Sequence, residues 1–198
     1  MAKRIVFATG NEGKMREIRE ILGDLDIEII SMKEAGVNPD IVEDGTTYEE
    51  NAMIKARAVA KLLPEDIVMA DDSGLEVDYM DKAPGIYSSR FMGVDTPYSE
   101  KNAEILKRLK GVPDEKRTAR FVCAIACVLP SGEERHVRGV IEGRIDYEIR
   151  GVNGFGYDPI FYVPEYGRTT AELSEEEKNR ISHRGRALAL MKEELGDI

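Results

Sequence analysis

Cysteine is scarce in this sequence, and its scarcity excludes two kinds of protein. The 198 residues contain only two cysteines, Cys123 and Cys127. At this spacing they provide neither a disulfide framework nor a Cys-x-x-Cys metal pair. Both lie in the apolar stretch 121–129, where their even spacing puts them on one face of a predicted strand. We therefore expect buried thiols that serve packing.

Long apolar runs are also missing. No stretch approaches the roughly 18 consecutive apolar residues that a membrane-spanning helix needs. Residues 1–7 have the pattern of a short strand entering a glycine loop, without the longer apolar stretch of a secretory signal. The sequence predicts a soluble, cytoplasmic protein with no membrane partner.

The sequence also lacks an excess of basic residues. The chain has 28 Lys and Arg against 38 Asp and Glu, a formal net charge of −10. Binding of a nucleic acid polymer draws on a broad basic field that displaces counterions, so no such partner is expected. A small polyanion needs only a few local cations and backbone N–H groups, and magnesium can neutralise its remaining charge.

The composition is that of a folded protein, with 42% hydrophobic and 33% charged residues. The length suits one domain over residues 1–198, with room for two lobes around a cleft. No internal repeat, low-complexity segment or linker interrupts the chain. The sequence predicts a packed core throughout.

The first half of the chain alternates strands and helices. A glycine loop follows the first strand, and the next helix has apolar residues every three or four positions. Gly23 is expected to end this helix in the left-handed backbone conformation. Thr47 and Glu50 form a capping-box pattern at the start of a second helix. The predicted strands of this half are 3–8, 27–30 and 67–70, the last ending at a turn formed by Asp71, Asp72, Ser73 and Gly74.

The second half predicts consecutive strands between helices. A helix over 100–110 is closed by Gly111, and later helices begin near Ser174, with Glu177 as its capping-box partner, and near Ser182. The strands between them are predicted at 118–129, 134–142, 144–149 and 160–163. The whole pattern favours an α/β fold with a long mixed β-sheet flanked by helices.

The loop at 9–14 lies between a strand and a helix, where backbone N–H groups and a lysine can hold an anion. It is not a Walker loop, because its glycines are too close together and Met15 stands where that motif has a Ser or Thr. Phosphate binding and a simple strand-to-helix connection both remain open from this loop alone.

Two acidic pairs could supply a metal site. Glu43 and Asp44 precede the second helix, and Asp71 and Asp72 follow the apolar strand 67–70. Ligands of open α/β sheets gather outside the carboxyl ends of strands, and carboxylates are ligands for magnesium. A solvated acidic turn is the alternative interpretation for either pair.

Six ordered motifs make the sequence resemble a known family. They are FATGNEGK (7–14), EENA (49–52), ADDSGL (70–75), PGIYSSR (84–90), GFGYDP (154–159) and ISHR (181–184). In this order they are similar to those of the inosine triphosphate pyrophosphatase family, in particular its bacterial XTP/dITP diphosphatases. The resemblance covers nearly the whole chain.

The resemblance implies an activity and a set of site residues. It implies hydrolysis of ITP, dITP or XTP to the monophosphate and pyrophosphate, which clears deaminated purines from the nucleotide pool, by a homodimer that holds the nucleotide between two lobes. It implies Mg²⁺ as cofactor and Asp72 as general base and metal ligand, and we expect Glu43 as the second metal carboxylate, with Asp44 as the alternative. The implied substrate contacts are Thr9, Gly10, Asn11, Glu12, Gly13, Lys14, Lys55, Ser73, Phe155, Gly156, Tyr157, Asp158, Lys178, His183 and Arg184.

The residue chemistry agrees with this reading. Phe155 can stack on a purine, and His183 and Arg184 can donate hydrogen bonds to a carbonyl oxygen at purine position six. His136 is expected to be structural, and Arg90 has no defined role. Two rival hypotheses remain: a diphosphatase for modified pyrimidine nucleotides, and a sensor that binds the triphosphate without cleaving it.

Overall fold

The computed structural model describes residues 4–196, so the predicted strand residue Lys3 lies outside the described part. Seven strands and five α-helices are present among these residues. The strands are β1 (Arg4–Phe7), β2 (Glu28–Ser31), β3 (Ile67–Val77), β4 (Thr118–Val128), β5 (Glu134–Ile145), β6 (Phe161–Val163) and β7 (Arg168–Thr169). The helices are α1 (Glu12–Ile21), α2 (Tyr48–Ala60), α3 (Tyr98–Arg108), α4 (Glu175–Ile181) and α5 (His183–Leu195).

The strands form one sheet in the order β2-β1-β3-β4-β5-β6-β7. β1 pairs in parallel with β2 and with β3, whereas β6 pairs antiparallel with β5 and with β7. The predicted mixed sheet with flanking helices is therefore confirmed. Within residues 4–196, no helix combines the length and the apolar character that crossing a membrane requires.

The chain separates into two compact units, which are described separately. Unit 1 comprises the residues up to Asp72, the segment Cys123–Gly139 and the residues from His183 onward. Its core joins α1 and α5 to the strands, with Phe7, Met69 and Ile18 among its buried side chains. Both thiols are buried in this unit, as predicted.

Unit 2 comprises Ser73–Val122 and Val140–Ser182. Its core contains Leu75 of β3, Ile105 of α3 and Phe161 of β6. The rings of Phe121 and Phe161 pack within it, with their centroids 4.3 Å apart. The predicted cleft between two lobes stays a prediction.

The predicted turn at 71–74 is wrong. Asp71, Asp72, Ser73 and Gly74 lie in the middle of β3, which continues to Val77. The parallel ladder with β1, however, ends at Met69. The two acids therefore lie just beyond the end of the parallel partner while their own strand continues, with Leu75 and Val77 buried in unit 2.

Three smaller predictions also need correction. The predicted strands 134–142 and 144–149 are one strand, β5, which ends at Ile145. At Gly143, within this strand, a Cβ would lie 2.5 Å from the Tyr162 carbonyl oxygen, so the close approach of β6 requires glycine. Helix α1 ends before Gly23, which does not adopt a left-handed conformation. Finally, the predicted capping box is formed in part: Glu50 N donates to Thr47 Oγ1 as expected, but the Glu50 carboxylate accepts its main hydrogen bonds from the backbone N–H and hydroxyl of Thr46.

Candidate functional site

The loop after β1 leads directly into the N-terminus of α1. Helix α1 begins at Glu12, so Gly13 and Lys14 belong to its first turn. The Asn11 side chain caps it by accepting a hydrogen bond from Lys14 N at 3.0 Å, and Asn11 N donates to Thr9 Oγ1 at 3.1 Å. Apart from its two chain neighbours, no described residue has an atom within 4 Å of where a Cβ at Gly10 would lie. A helix N-terminus beside open space is suited to an anion.

Asp71 contacts two cations from different helices. Its Oδ2 lies 2.9 Å from Lys14 Nζ and 3.1 Å from Arg184 Nη2. Arg184 Nη1 in turn donates to Glu17 Oε2 at 2.5 Å. The side chains of Asp71, Arg184 and Glu17 are each at most 5% exposed. Two carboxylates and two cations balance one another in a buried cluster.

The cluster determines the charge state of its members. Burial raises the pKa of Asp71, but Lys14 and Arg184 outweigh that effect and hold it well below its usual range. Burial lowers the pKa of Arg184, and Asp71 and Glu17 more than restore it. Burial also raises the pKa of the neighbouring Cys123 thiol to about 12, so this thiol stays protonated at neutral pH.

Asp72 points to the other face of β3, because successive side chains of a strand alternate. Its Oδ1 lies 3.8 Å from Lys55 Nζ of α2, and the same Nζ lies 3.2 Å from Glu43 Oε1. Asp72 Oδ2 is buried and has no hydrogen-bond partner among residues 4–196. Burial, opposed by Lys55 and Lys14, raises the pKa of Asp72 above its ordinary value.

Glu43 and Asp72 fit a magnesium ion. One lysine ammonium contacts both carboxylates, so they lie on either side of a common point, and the buried Asp72 Oδ2 has no hydrogen-bond partner among residues 4–196. Magnesium is usually bound by one or two carboxylates together with substrate phosphates. Residues 4–196 contain no group of three His, Cys, Asp or Glu side chains placed to hold a metal ion. Asp44 is exposed, whereas the ion pair with Lys55 is made by Glu43.

In unit 2, Asp158 holds the predicted cation Lys178. Its Oδ2 accepts from Lys178 Nζ at 2.6 Å and from Phe155 N at 2.9 Å, and its Oδ1 accepts from Thr170 Oγ1 at 2.7 Å. Lys178 Nζ also lies 5.0 Å from the centre of the Phe155 ring. Gly154 has a φ of +70°, and a side chain there would lie 2.2 Å from Asp158 Oδ2. Asp158 thus positions both Phe155 and Lys178.

Tyr157 is directed into the core of unit 2. Its hydroxyl donates to the Ser88 carbonyl at 2.6 Å, and its ring packs edge-on against Tyr98. The carbonyl of Gly156 accepts from Asn102 Nδ2 at 3.1 Å. The structure therefore gives Tyr157 and Gly156 packing contacts, while Ser73 lies in β3.

His183 and Arg184 open helix α5, and both are buried. The helix start approaches β5 closely: a side chain at Gly139 would lie 2.2 Å from the His183 carbonyl oxygen. His136 lies in β5, and Arg90 lies 5.1 Å above the Tyr87 ring at the end of a short 3-10 helix.

The sequence-predicted residues thus form separate groups within each unit. Unit 1 brings Lys14 together with Arg184, and Glu43 together with Lys55 and Asp72; unit 2 brings Phe155, Asp158 and Lys178 together. Sequence reasoning missed Asp71 and Glu17 as the partners of Arg184. Only the spacing of Lys14 and Glu17, three residues apart on α1, hinted that they share a helix face.

Comparison with known proteins gives consistent results. The Ham1 family profile matches residues 5–194. A Clostridium perfringens protein named dITP/XTP pyrophosphatase is 47% identical over 201 aligned residues, covering 99% of this chain and 98% of that protein. A protein of the same name from Caldanaerobacter subterraneus is 50% identical over 190 residues, covering 96% of this chain and 94% of that protein.

Solved structures agree with the sequence comparison. The Ham1 protein of Staphylococcus aureus superposes with a TM-score of 0.86 at 41% identity, covering 98% of both chains. A HAM1 protein of Coxiella burnetii gives a TM-score of 0.85 at 45% identity, with the same coverage. The resemblance based on the six motifs is therefore confirmed, and the chain belongs to the Ham1 family.

Proposed function

We propose that this chain hydrolyses dITP, ITP and XTP to the corresponding monophosphate and pyrophosphate, clearing deaminated purines from the nucleotide pool. The observation that carries the proposal is the pair of carboxylates, Glu43 and Asp72, around Lys55, with a buried Asp72 oxygen that has no hydrogen-bond partner within residues 4–196. Relatives at 47% and 50% identity named dITP/XTP pyrophosphatase support the same activity.

Glu43 and Asp72 would hold Mg²⁺. When bound, this ion offsets the negative charge of the triphosphate and polarises a phosphoryl oxygen. Lys55 stays between the two carboxylates and limits their mutual repulsion. Asp72 also orients the attacking water and accepts its proton.

The water attacks the α-phosphorus, and pyrophosphate leaves. The loop residues Thr9, Gly10, Asn11, Glu12, Gly13 and Lys14 bind phosphate oxygens, with Lys14 held in place by Asp71. Lys55 and Lys178 add positive charge where negative charge develops, and preorganised cations help most there. Ser73 contacts the substrate.

Base selection rests on stacking and on hydrogen-bond donors. Phe155 stacks on the purine, and the turn that contains Gly156, Tyr157 and Asp158 positions it. His183 and Arg184 donate to the carbonyl oxygen at purine position six. Glu17 and Asp71 fix the guanidinium of Arg184, and because a guanidinium carries only N–H donors it cannot pair with an amino group at that position.

The protein acts on free nucleotides in the cytoplasm as a homodimer, without a nucleic acid polymer or a membrane as partner. A net charge of −10 and the local character of its cationic groups support action on a small polyanion.

Product identification tests the proposal. Purified protein is incubated with ITP and Mg²⁺, and nucleotides and phosphates are separated; IMP and pyrophosphate should form in equal amounts, with no IDP. Inorganic phosphate released without added pyrophosphatase would contradict the proposed bond choice. A panel containing modified pyrimidine triphosphates distinguishes the related specificity, and binding without turnover would indicate a sensor.

A further inference from the structure

The loop that carries Glu43 is held by helix α2 at three points. Thr46 donates to the Glu50 carboxylate, Gly45 N donates to Asn51 Oδ1 at 2.9 Å, and Glu43 contacts Lys55 Nζ at 3.2 Å. Residues 37–45 have no regular secondary structure of their own. The position of Glu43 therefore depends on contacts with the helix that follows it.

Asn51 is the buried member of this set. It is 0% exposed, although asparagine is mostly found at the surface. It lies four residues before Lys55, so both side chains emerge from the same face of α2. Lys55 binds the Glu43 carboxylate, and Asn51 binds the backbone of Gly45, two residues further along the loop.

The fit between Gly45 and Asn51 is close. A side chain at Gly45 would lie 2.7 Å from Asn51 Oδ1 and 2.8 Å from Glu50 Cβ. Neither atom can move easily, because Asn51 is buried and Glu50 Cβ is fixed to the helix. Only glycine allows the loop to approach α2 closely enough for the hydrogen bond.

We propose that Asn51, through its hydrogen bond to Gly45, is a positioning residue that fixes Glu43 for metal binding. The inference rests on the proposed function only in taking Glu43 as a metal ligand. Partners behind metal ligands typically change metal affinity by about 10- to 100-fold when they are removed. Asn51 bonds the loop at Gly45 N, two residues after Glu43, so its effect on Glu43 passes through the backbone at 43–45.

The test measures Mn²⁺ binding to the free protein by electron paramagnetic resonance, without nucleotide and without turnover. Asn51→Ala and Gly45→Ala remove the same contact from its two sides, and each should weaken Mn²⁺ binding by about 10-fold or more. Thr47→Ala is the matched control: it removes the cap of α2, where Thr47 Oγ1 accepts from Glu50 N, but leaves the contact between Gly45 and Asn51 intact. It should lower the melting temperature and leave Mn²⁺ affinity unchanged.

A double-mutant cycle shows whether the effect passes through Glu43. In a Glu43→Gln background, Asn51→Ala should cause little further loss of Mn²⁺ affinity, because the ligand that it positions is gone. Additive losses would overturn the proposal. Unchanged Mn²⁺ affinity in folded Asn51→Ala or Gly45→Ala protein would overturn it too, as would a wild type that binds no Mn²⁺.

The outcome is separable from that of the proposed function. If the wild type cleaves ITP but the two variants bind Mn²⁺ normally, the function stands and the role of Asn51 fails. If the wild type binds Mn²⁺ but does not cleave ITP, the function fails, and the affinities of the variants still decide the role of Asn51. Melting curves of each variant verify that folded protein is compared.

Discussion

Asp71 and Asp72 are neighbours in β3, yet they lie in opposite kinds of surroundings. On one face, Asp71 and Glu17 are matched by Lys14 and Arg184 in a buried, balanced cluster, and the pKa of Asp71 is lowered. On the other face, one cation, Lys55, contacts two carboxylates, those of Glu43 and Asp72, and the pKa of Asp72 is raised.

The difference indicates how one acidic pair serves two tasks. On the Asp71 face two carboxylates are matched by two cations, so this face stabilises the fold and orients Lys14 and Arg184. The Asp72 face has one carboxylate more than it has cations, which supports the proposal that it binds a metal ion. Alternation along the strand puts the two side chains on opposite faces, while Lys14 and Lys55 each act on the pKa of both acids. The following predictions test that separation.

The largest effect is expected from Asp72→Asn. The variant keeps the size but removes the proton acceptor and one metal ligand, so ITP turnover should fall by about 10² to 10⁴. Its melting temperature without metal should hold or rise slightly, because a buried charge with a raised pKa is removed. Near-normal turnover would remove Asp72 from the mechanism, and loss of folding would make it a structural residue.

Asp71→Asn should lower the melting temperature, which Asp72→Asn should not. Removing this charge leaves Lys14 and Arg184 with a weaker shared acceptor, and breaking a buried ion pair costs about 3 to 5 kcal/mol. For a protein of this size the melting temperature should fall by roughly 6 °C or more. A melting temperature equal to that of the Asp72 variant would contradict the proposed division between the two faces.

Glu43→Gln and Asp44→Asn form a matched pair on the metal-binding face. Because Glu43 contacts Lys55 beside Asp72, its replacement should raise the Mg²⁺ concentration needed for half-maximal turnover by about 10- to 100-fold. The exposed Asp44 should be replaceable with little effect. Equal effects of the two substitutions would leave the choice between these carboxylates unsupported.

Base selection gives the smallest predicted change. The wild type should favour ITP over ATP by roughly 10³ to 10⁵ in kcat/KM, because a site built for hydrogen bonding rejects a mismatched group strongly. Arg184→Ala should reduce that ratio by about 10-fold or more. The ratio is measured on protein shown to be folded, since Glu17 and Asp71 also lose a partner. An unchanged ratio would limit Arg184 to a structural role.

Sequence reasoning predicted the alternation of elements because local signals determine it. Apolar periodicity, the cap at Thr47 and the capping box at Ser174 and Glu177 all have their expected effect on helix starts. The turn at 71–74 was wrong because four turn-forming residues were extended by tertiary packing, which buries Leu75 and Val77 farther along the same strand.

The site was only partly predictable for a related reason. Motifs identified the residues, but their partners are distant in sequence: Arg184 is 167 positions from Glu17 and 113 from Asp71. No local pattern reveals such a pair. The position of Asn51 behind the Glu43 loop likewise depends on how closely Gly45 approaches the helix, which the backbone decides.

Hydrolysis of ITP in ¹⁸O-labelled water tests the central claim most directly. If water attacks the α-phosphorus, the label appears in the phosphate of IMP and is absent from pyrophosphate. Mass spectrometry of both products after a single turnover measures this. Label in pyrophosphate, with unlabelled IMP, would mean attack at the β-phosphorus and would contradict the mechanism built around Asp72.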